Sequence, residues 1–186
     1  MKRVFDIFLA LLIWPFFLIL MIIIGILVKV TSKGPVLHWS NRVGKNNIIY
    51  KMPKFRSMYV GAPNIATHLL DNANTYLTPV GSFLRQFSLD EIPQLFSVLK
   101  GDMSFVGPRP ALFNQNDLIA FRTKNDIDKL LPGVTGWAQV NGRDELSIPD
   151  KVAFVKEYLH RMSFLFDLKI LWLTLIILIN YKKNSH

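Results

Sequence analysis

The stretch IFLALLIWPFFLILMIIIGILV, Ile7–Val28, runs for 22 residues without a charge. As a helix it covers about 33 Å, enough for the hydrocarbon core of a bilayer. A signal peptide fits poorly, because its apolar region is about 7–15 residues and ends at a small-residue cleavage site. Here the run is longer, and it closes on Gly25-Ile26-Leu27-Val28-Lys29. Pro15 near the middle removes a backbone hydrogen bond and crowds the preceding turn, which predicts a kink. Both flanks are basic, with Lys2 and Arg3 before and Lys29 and Lys33 after. The positive-inside rule therefore assigns no orientation to a single span. A helix that enters, bends at Pro15 and returns to the same face satisfies both flanks. It is favoured over the straight span, which remains the alternative.

The rest of the composition supports a membrane setting. The chain has 186 residues, 51% of them hydrophobic, which fits one domain and argues against disorder. It also carries 22 Lys+Arg against 13 Asp+Glu, a net charge of +9. An apolar and basic chain points to anionic headgroups or to nucleic acid. The absence of cysteine excludes disulfides, cysteine-ligated zinc and thiol catalysis. From Lys29 to Met58 there are Lys29, Lys33, Arg42, Lys45, Lys51, Lys54 and Arg56 and no acid. Each is worth about 1 kcal/mol beside an anionic leaflet. The segment reads as a headgroup collar, or as a set of cations of which some bind a substrate phosphate.

Pro35–Trp39 and Asn47–Tyr50 read as short strands around a turn at Val43-Gly44-Lys45-Asn46. Tyr59–Pro79 reads as an irregular loop around a short helix. Val152, Val155, Leu159 and Met162 have helical spacing after Asp150, the expected N-cap. Ile170–Ile179 is uncharged but too short to span, which predicts an interfacial or core-packed helix.

Phosphate-loop, dinucleotide, zinc-protease and nucleophile-elbow motifs are all missing. The histidines, His38, His68, His160 and His186, are scattered, which argues against a histidine metal site. The densest polar signal is RQFSLDEIPQLF, Arg85–Phe96. Ile92, Leu95, Phe96 and Leu99 keep helical spacing, with Gly101 as the stop. Ser88-x-x-Glu91 matches a capping box, although Pro93 favours a start nearer Asp90, with Asp90 as the cap. The chemical reading is different. A carboxylate ionised at a helix N-terminus can attack phosphorus, and a second beside it can hold Mg²⁺. Residue types leave both readings open.

Two further clusters follow. Arg109 sits between Pro108 and Pro110, so its phosphate-matching guanidinium is carried on stiff, extended chain. Pro132–Arg143 holds Gly133, Gly136 and Gly142, which mark tight turns and close backbone approach. Gln139, Asn141 and Arg143 could read a sugar or nucleotide, or belong to a plain polar loop.

KFRSM at Lys54–Met58, SLDEIPQLFSVLKGDMSFVGPRP at Ser88–Pro110, PGVTGWAQVNGR at Pro132–Arg143 and SFLFDLKI at Ser163–Ile170 together resemble the bacterial sugar transferases. These are monotopic phosphoglycosyl transferases that act on undecaprenyl phosphate. The likeness covers nearly the whole chain. It implies a mostly α protein with a small β-hairpin (α+β) and interfacial amphipathic helices. A re-entrant, Pro15-kinked membrane helix would span 1–33, a catalytic region 34–163 and a C-terminal interfacial helix 164–181. It implies transfer of a sugar phosphate from a UDP-sugar to undecaprenyl phosphate, with release of UMP. Asp90 matches the family nucleophile, which forms a phosphosugar–aspartyl intermediate. Glu91 matches the second acid, tied to Mg²⁺ and to general acid/base work, so both acids are candidate metal ligands. Arg85, Arg109 and Arg143 match arginines near the phosphates or nucleotide sugar. Lys54, Arg56, Gln139 and Asn141 are the further binding candidates.

The same resemblance implies residence at the bacterial inner membrane, the catalytic region on its cytoplasmic face. The partners are membrane lipid and the two substrates, not nucleic acid; a homo-oligomer is compatible with it. Larger relatives add membrane helices and another domain, so 186 residues correspond to the minimal unit. Four positions depart from the family pattern: Trp14 before Pro15, Leu131 where an arginine is usual, Ser40 for glutamine and Ser57 for threonine. The competing reading is a catalytically inactive, membrane-bound scaffold.

Overall fold

The computed structural model describes residues 1–63, 72–142 and 146–181. Helix α1 (Lys2–Thr31) is continuous through Pro15. Leu and Ile on both sides sustain the helix across the one bond that proline cannot make. It is the only described helix long and apolar enough to cross a membrane. Yet both of its ends are fixed to the rest of the molecule.

At the first end Asp6 and Ala10 are buried, and at the other Ile24 and Val28. Lys2 Nζ lies 2.5 Å from Asp167 Oδ2 and donates to the Tyr158 hydroxyl at 3.1 Å. Arg3 donates to the carbonyls of Val98 and Leu99, and Asp6 Oδ1 accepts from the Phe105 amide at 3.1 Å. At the far end Arg56 donates to the Ser32 carbonyl at 2.8 Å and to its Oγ at 2.7 Å. The N-terminal flanking cations are thus turned inward as clasps rather than outward to headgroups.

Strands β1 (Leu37–Val43) and β2 (Ile49–Phe55) form an antiparallel hairpin, with His38 opposite Lys54 and Arg42 opposite Tyr50. The connection is Gly44 and a 3-10 turn, Lys45–Asn47, in which Asn46 and Asn47 take positive φ. The strands are longer than the sequence suggested. Of the cations read as a collar, Arg42, Lys51 and Lys54 are strand positions.

Helix α2 (Gly81–Gln86) leads into a 3-10 turn, Leu89–Gln94, and then α3 (Leu95–Lys100), which stops at Gly101 with φ 100°. The capping box does not form, and Asp90 is not a cap. Ser88 is itself left-handed, with φ 55° and no side-chain cap bond. Pro93 cannot donate inside an α-helix, so the α-helical ladder begins only at Leu95 and the dyad sits in the tighter turn.

Beyond the expected hairpin there are three short strands. β3 (Ser104–Val106) pairs in parallel with β5 (Gly133–Thr135), and β4 (Ala111–Leu112) adds to β1. Glycine is required where β3 and β5 meet. A Cβ on Gly133 would lie 2.1 Å from the Gly107 nitrogen, and one on Gly136 would lie 2.0 Å from the Gly107 carbonyl oxygen.

The remaining helices are α4 (Asn116–Lys124), α5 (Trp137–Val140), α6 (Ile148–Arg161) and α7 (Phe164–Tyr181). The cap of α6 is Ser147, whose Oγ accepts from the Asp150 amide; Asp150, the expected cap, is inside the first turn. Its buried stripe is Val152, Val155 and Tyr158, while Met162 is exposed. Helix α7 buries Phe166, Asp167 and Ile170 but exposes Trp172, Leu175 and Ile179, so its first half is core and its second half apolar surface. In the Tyr59–Pro79 loop the structure shows a 3-10 turn at Ala73–Tyr76 and a bridge between Met58 and Leu77. Positions 64–71, the middle of that loop, lie outside the described residues.

Candidate active site

The turn Leu89–Gln94 packs against β2, and this brings the dyad to the basic face of the hairpin. Asp90 is buried, 7% exposed. Lys54 Nζ lies 2.6 Å from Glu91 Oε1, and Arg109 Nη2 lies 3.5 Å from the same oxygen. Arg85 Nε donates to Ser57 Oγ at 3.0 Å. A cleft opens here, lined by Arg42, Lys54, Glu91, Gln94 and Arg109 among others.

Burial pushes the Asp90 carboxyl up to about 6, with Lys54 and Arg85 pulling against that rise. Burial acts on Glu91 in the same sense, but Lys54 and Arg109 override it and hold Glu91 well below the usual carboxylate range. Burial lowers the Arg85 pKa against the pull of the two acids. Burial and the neighbouring Lys54, Arg42 and Arg85 also lower His38, which stays neutral at neutral pH. The arrangement sets two adjacent carboxylates of unlike basicity under a group of guanidinium and ammonium groups. It suits a substrate bearing several phosphate charges.

The structure groups Asp90, Glu91, Lys54, Arg85 and Arg109: Glu91, Lys54 and Arg109 line the cleft, while Asp90 and Arg85 are outside its lining but close enough to feel the dyad and Lys54 charges. It places Arg56 elsewhere: that side chain is 5% exposed and is spent on the C-terminal end of α1. The Gln139 amide is buried beside Gly136, with no hydrogen-bond partner among the described residues. Asn141 is exposed and donates to the Trp137 carbonyl at 2.7 Å, at the end of α5. Neither lines the cleft. Arg143 lies outside the described residues. Gln94 also lines the cleft and carries no signal in the sequence beyond its place in the Arg85–Phe96 stretch. Arg42, one of the collar cations, lines it too, and the alternation His38-x-Ser40-x-Arg42 points to it only with the full length of β1 in hand.

Residues 1–181 match the family described as bacterial sugar transferase, and the chain belongs to that family. It is 39% identical over 181 residues to the UDP-glucose:undecaprenyl-phosphate glucose-1-phosphate transferase of Escherichia coli K12, covering 94% of this chain and 39% of that protein. It is 36% identical over 193 residues to the undecaprenyl-phosphate galactose phosphotransferase of Salmonella typhimurium, covering 94% and 39%. It is also 35% identical over 176 residues to the uncharacterized sugar transferase EpsL of Bacillus subtilis, covering 94% and 85%. The chain thus spans about two fifths of the length of the first two.

Proposed function

We propose that this chain transfers a sugar phosphate from a UDP-sugar to undecaprenyl phosphate and releases UMP, as the opening step of a bacterial surface glycan or glycoprotein. The observation that carries this reading is the buried Asp90 carboxylate beside Lys54, Glu91 and Arg85, with Arg109 reaching the neighbouring Glu91. One Asp90 oxygen attacks the β-phosphorus and forms an oxygen–phosphorus bond. The bond from that phosphorus to the bridging oxygen breaks, and UMP leaves with the electron pair. An oxygen of the acceptor phosphate then attacks the same phosphorus and frees the carboxylate. Lys54, Arg85 and Arg109 bind and orient the phosphates and offset their charge. Glu91, held ionised by Lys54, is suited to holding cations rather than to giving up a proton.

No group of three or more His, Cys, Asp or Glu stands together among the described residues. Two adjacent carboxylates are a donor set that suits Mg²⁺, which keeps several waters and shares substrate oxygens. Asp90 and Glu91 would hold it, and it would neutralise diphosphate charge.

In this reading the body sits on the cytoplasmic face of the inner membrane. Helix α1 is re-entrant and α7 lies in the interface. Clasps at both ends of α1 support it, since a straight span would carry one end away from its partners.

The test is UMP release by membrane fractions given undecaprenyl phosphate and a panel of UDP-sugars, with radiolabelled donor to trap the adduct. Asp90→Asn should abolish both release and adduct. Release that survives Asp90→Asn would sink the nucleophile assignment. A chain inert toward every donor would favour the scaffold reading.

A further inference from the structure

Resting on that functional reading, we infer that Arg122 is a positioning residue that aims Arg109 at the reacting phosphates through the main chain. Three successive carbonyls of the Pro108-Arg109-Pro110 segment are each held from outside. The Gly133 amide donates to the Pro108 carbonyl at 2.9 Å. Arg122 Nη1 donates to the Arg109 carbonyl at 2.8 Å, and Arg42 Nη1 donates to the Pro110 carbonyl at 3.1 Å.

The direction of the Arg109 side chain follows from the two peptide planes that flank its Cα. Neither proline has an N–H, so the plane between Arg109 and Pro110 can be tied by hydrogen bonding only at its carbonyl. The plane on the other side is tied at the Pro108 carbonyl by the main-chain amide of Gly133. Arg122 ties the remaining plane, at the Arg109 carbonyl.

The energetics also argue that this is not a stability device. Arg122 comes from α4, and its Nε is buried with no hydrogen-bond partner among the described residues. An orphaned polar group of that kind costs free energy and offsets what one neutral acceptor returns. Burial pulls Arg122 down to about 10, so it remains charged at neutral pH. What the side chain secures is the geometry of a loop whose guanidinium must reach Glu91 and the substrate.

The experiment is a double-mutant cycle on the full-length protein, with UMP release as the kinetic readout. Arg122→Met should lower kcat/KM for the UDP-sugar about 10- to 100-fold, the scale of a misplaced catalytic group. Arg122→Lys, which keeps one donor, should recover most of it. The Arg109→Met/Arg122→Met pair should be no slower than Arg109→Met alone. Additive losses in the pair would overturn the inference. Amide deuterium exchange across residues 107–112 supplies a readout that needs no turnover. It should rise in Arg122→Met and stay unchanged in α6; unchanged exchange in 107–112 overturns the inference. A wild-type chain that releases no UMP overturns the functional reading instead, and the exchange arm still decides whether Arg122 holds the loop.

Discussion

Lys54 Nζ lies 2.6 Å from Glu91 Oε1, and this contact holds Glu91 down against the burial that lifts its neighbour Asp90. Glu91 is held ionised, while burial raises Asp90 to about 6. A protonated carboxyl cannot attack phosphorus. UMP release should therefore fall on an acid limb at or below about 6, since Mg²⁺ on the dyad would favour the ionised carboxylate, and level off above it. Lys54 is the strongest charge holding Asp90 down, so Lys54→Met should shift this acid limb to higher pH as well as slow the reaction. The check is a pH–rate profile at fixed Mg²⁺. A limb that stays in place or moves to lower pH contradicts the assignment.

The same burial makes Asp90 a cost to the fold. Its folded pKa lies above the ordinary value of 3.8. Between those two values the folded chain binds a proton that the unfolded chain has released. Stability therefore declines as pH rises through that window and stays lower above it. Asp90→Asn removes the charge, which predicts a dead but sturdier protein, with a gain of at most about 3 kcal/mol at neutral pH. Thermal unfolding followed by tryptophan fluorescence should show a higher Tm for Asp90→Asn at neutral pH, and the gap should close near about pH 4. A variant less stable at both pH values would show that the carboxylate is a net contributor to folding.

Much of this site was legible because its residues cluster in the chain. Asp90, Glu91 and Arg109 fall within twenty positions, and the prolines and glycines around them punctuate the sequence strongly. What was hidden depends on register and on tertiary contact. Lys54 and Arg56 are two apart and would share a face in a strand, but β2 ends at Phe55, so alternation fails between them. Lys54 turns to Glu91 and Arg56 to Ser32. β3 and β5 are each three residues long, too short for period-two patterning to register. Arg122 carries no local signature at all, because its partner is a backbone carbonyl thirteen positions away.

Glycine substitutions separate backbone approach from mere flexibility. At Gly133 a Cβ would sit 2.1 Å from the Gly107 nitrogen, where only main chain could yield. Gly133→Ala should pry β3 from β5, loosen the Pro108–Pro110 segment and cost about 3 kcal/mol or more. Gly25 in α1 is different, since its nearest neighbour would be a Val36 methyl at 3.5 Å, an ordinary contact. Gly25→Ala should be neutral or stabilising by about 0.5–1 kcal/mol. Denaturation midpoints of the two variants in the same detergent test the contrast, and equal midpoints would refute it.

The two ends of α1 lead to the last expectation. Lys2 is paired with Asp167, whose side chain is only 5% exposed, and Ser32 is held by the buried Arg56. A straight span would set the ends about 30 Å apart across the bilayer, so one clasp would have to open. Opening the first leaves the buried Asp167 carboxylate with the Tyr158 hydroxyl but without its cation, a loss of about 1–3 kcal/mol. The proposed re-entrant arrangement would keep both clasps and put both ends on the body's side. The chain has no cysteine, so single reporters can be introduced without background. Lys33→Cys, Lys45→Cys and a cysteine inserted after Met1 should all react with a membrane-impermeant maleimide in inside-out vesicles, and none should react in intact spheroplasts. An N-terminal cysteine labelled only in spheroplasts would establish the straight span, and Lys2 would then have to be free of Asp167 in the membrane.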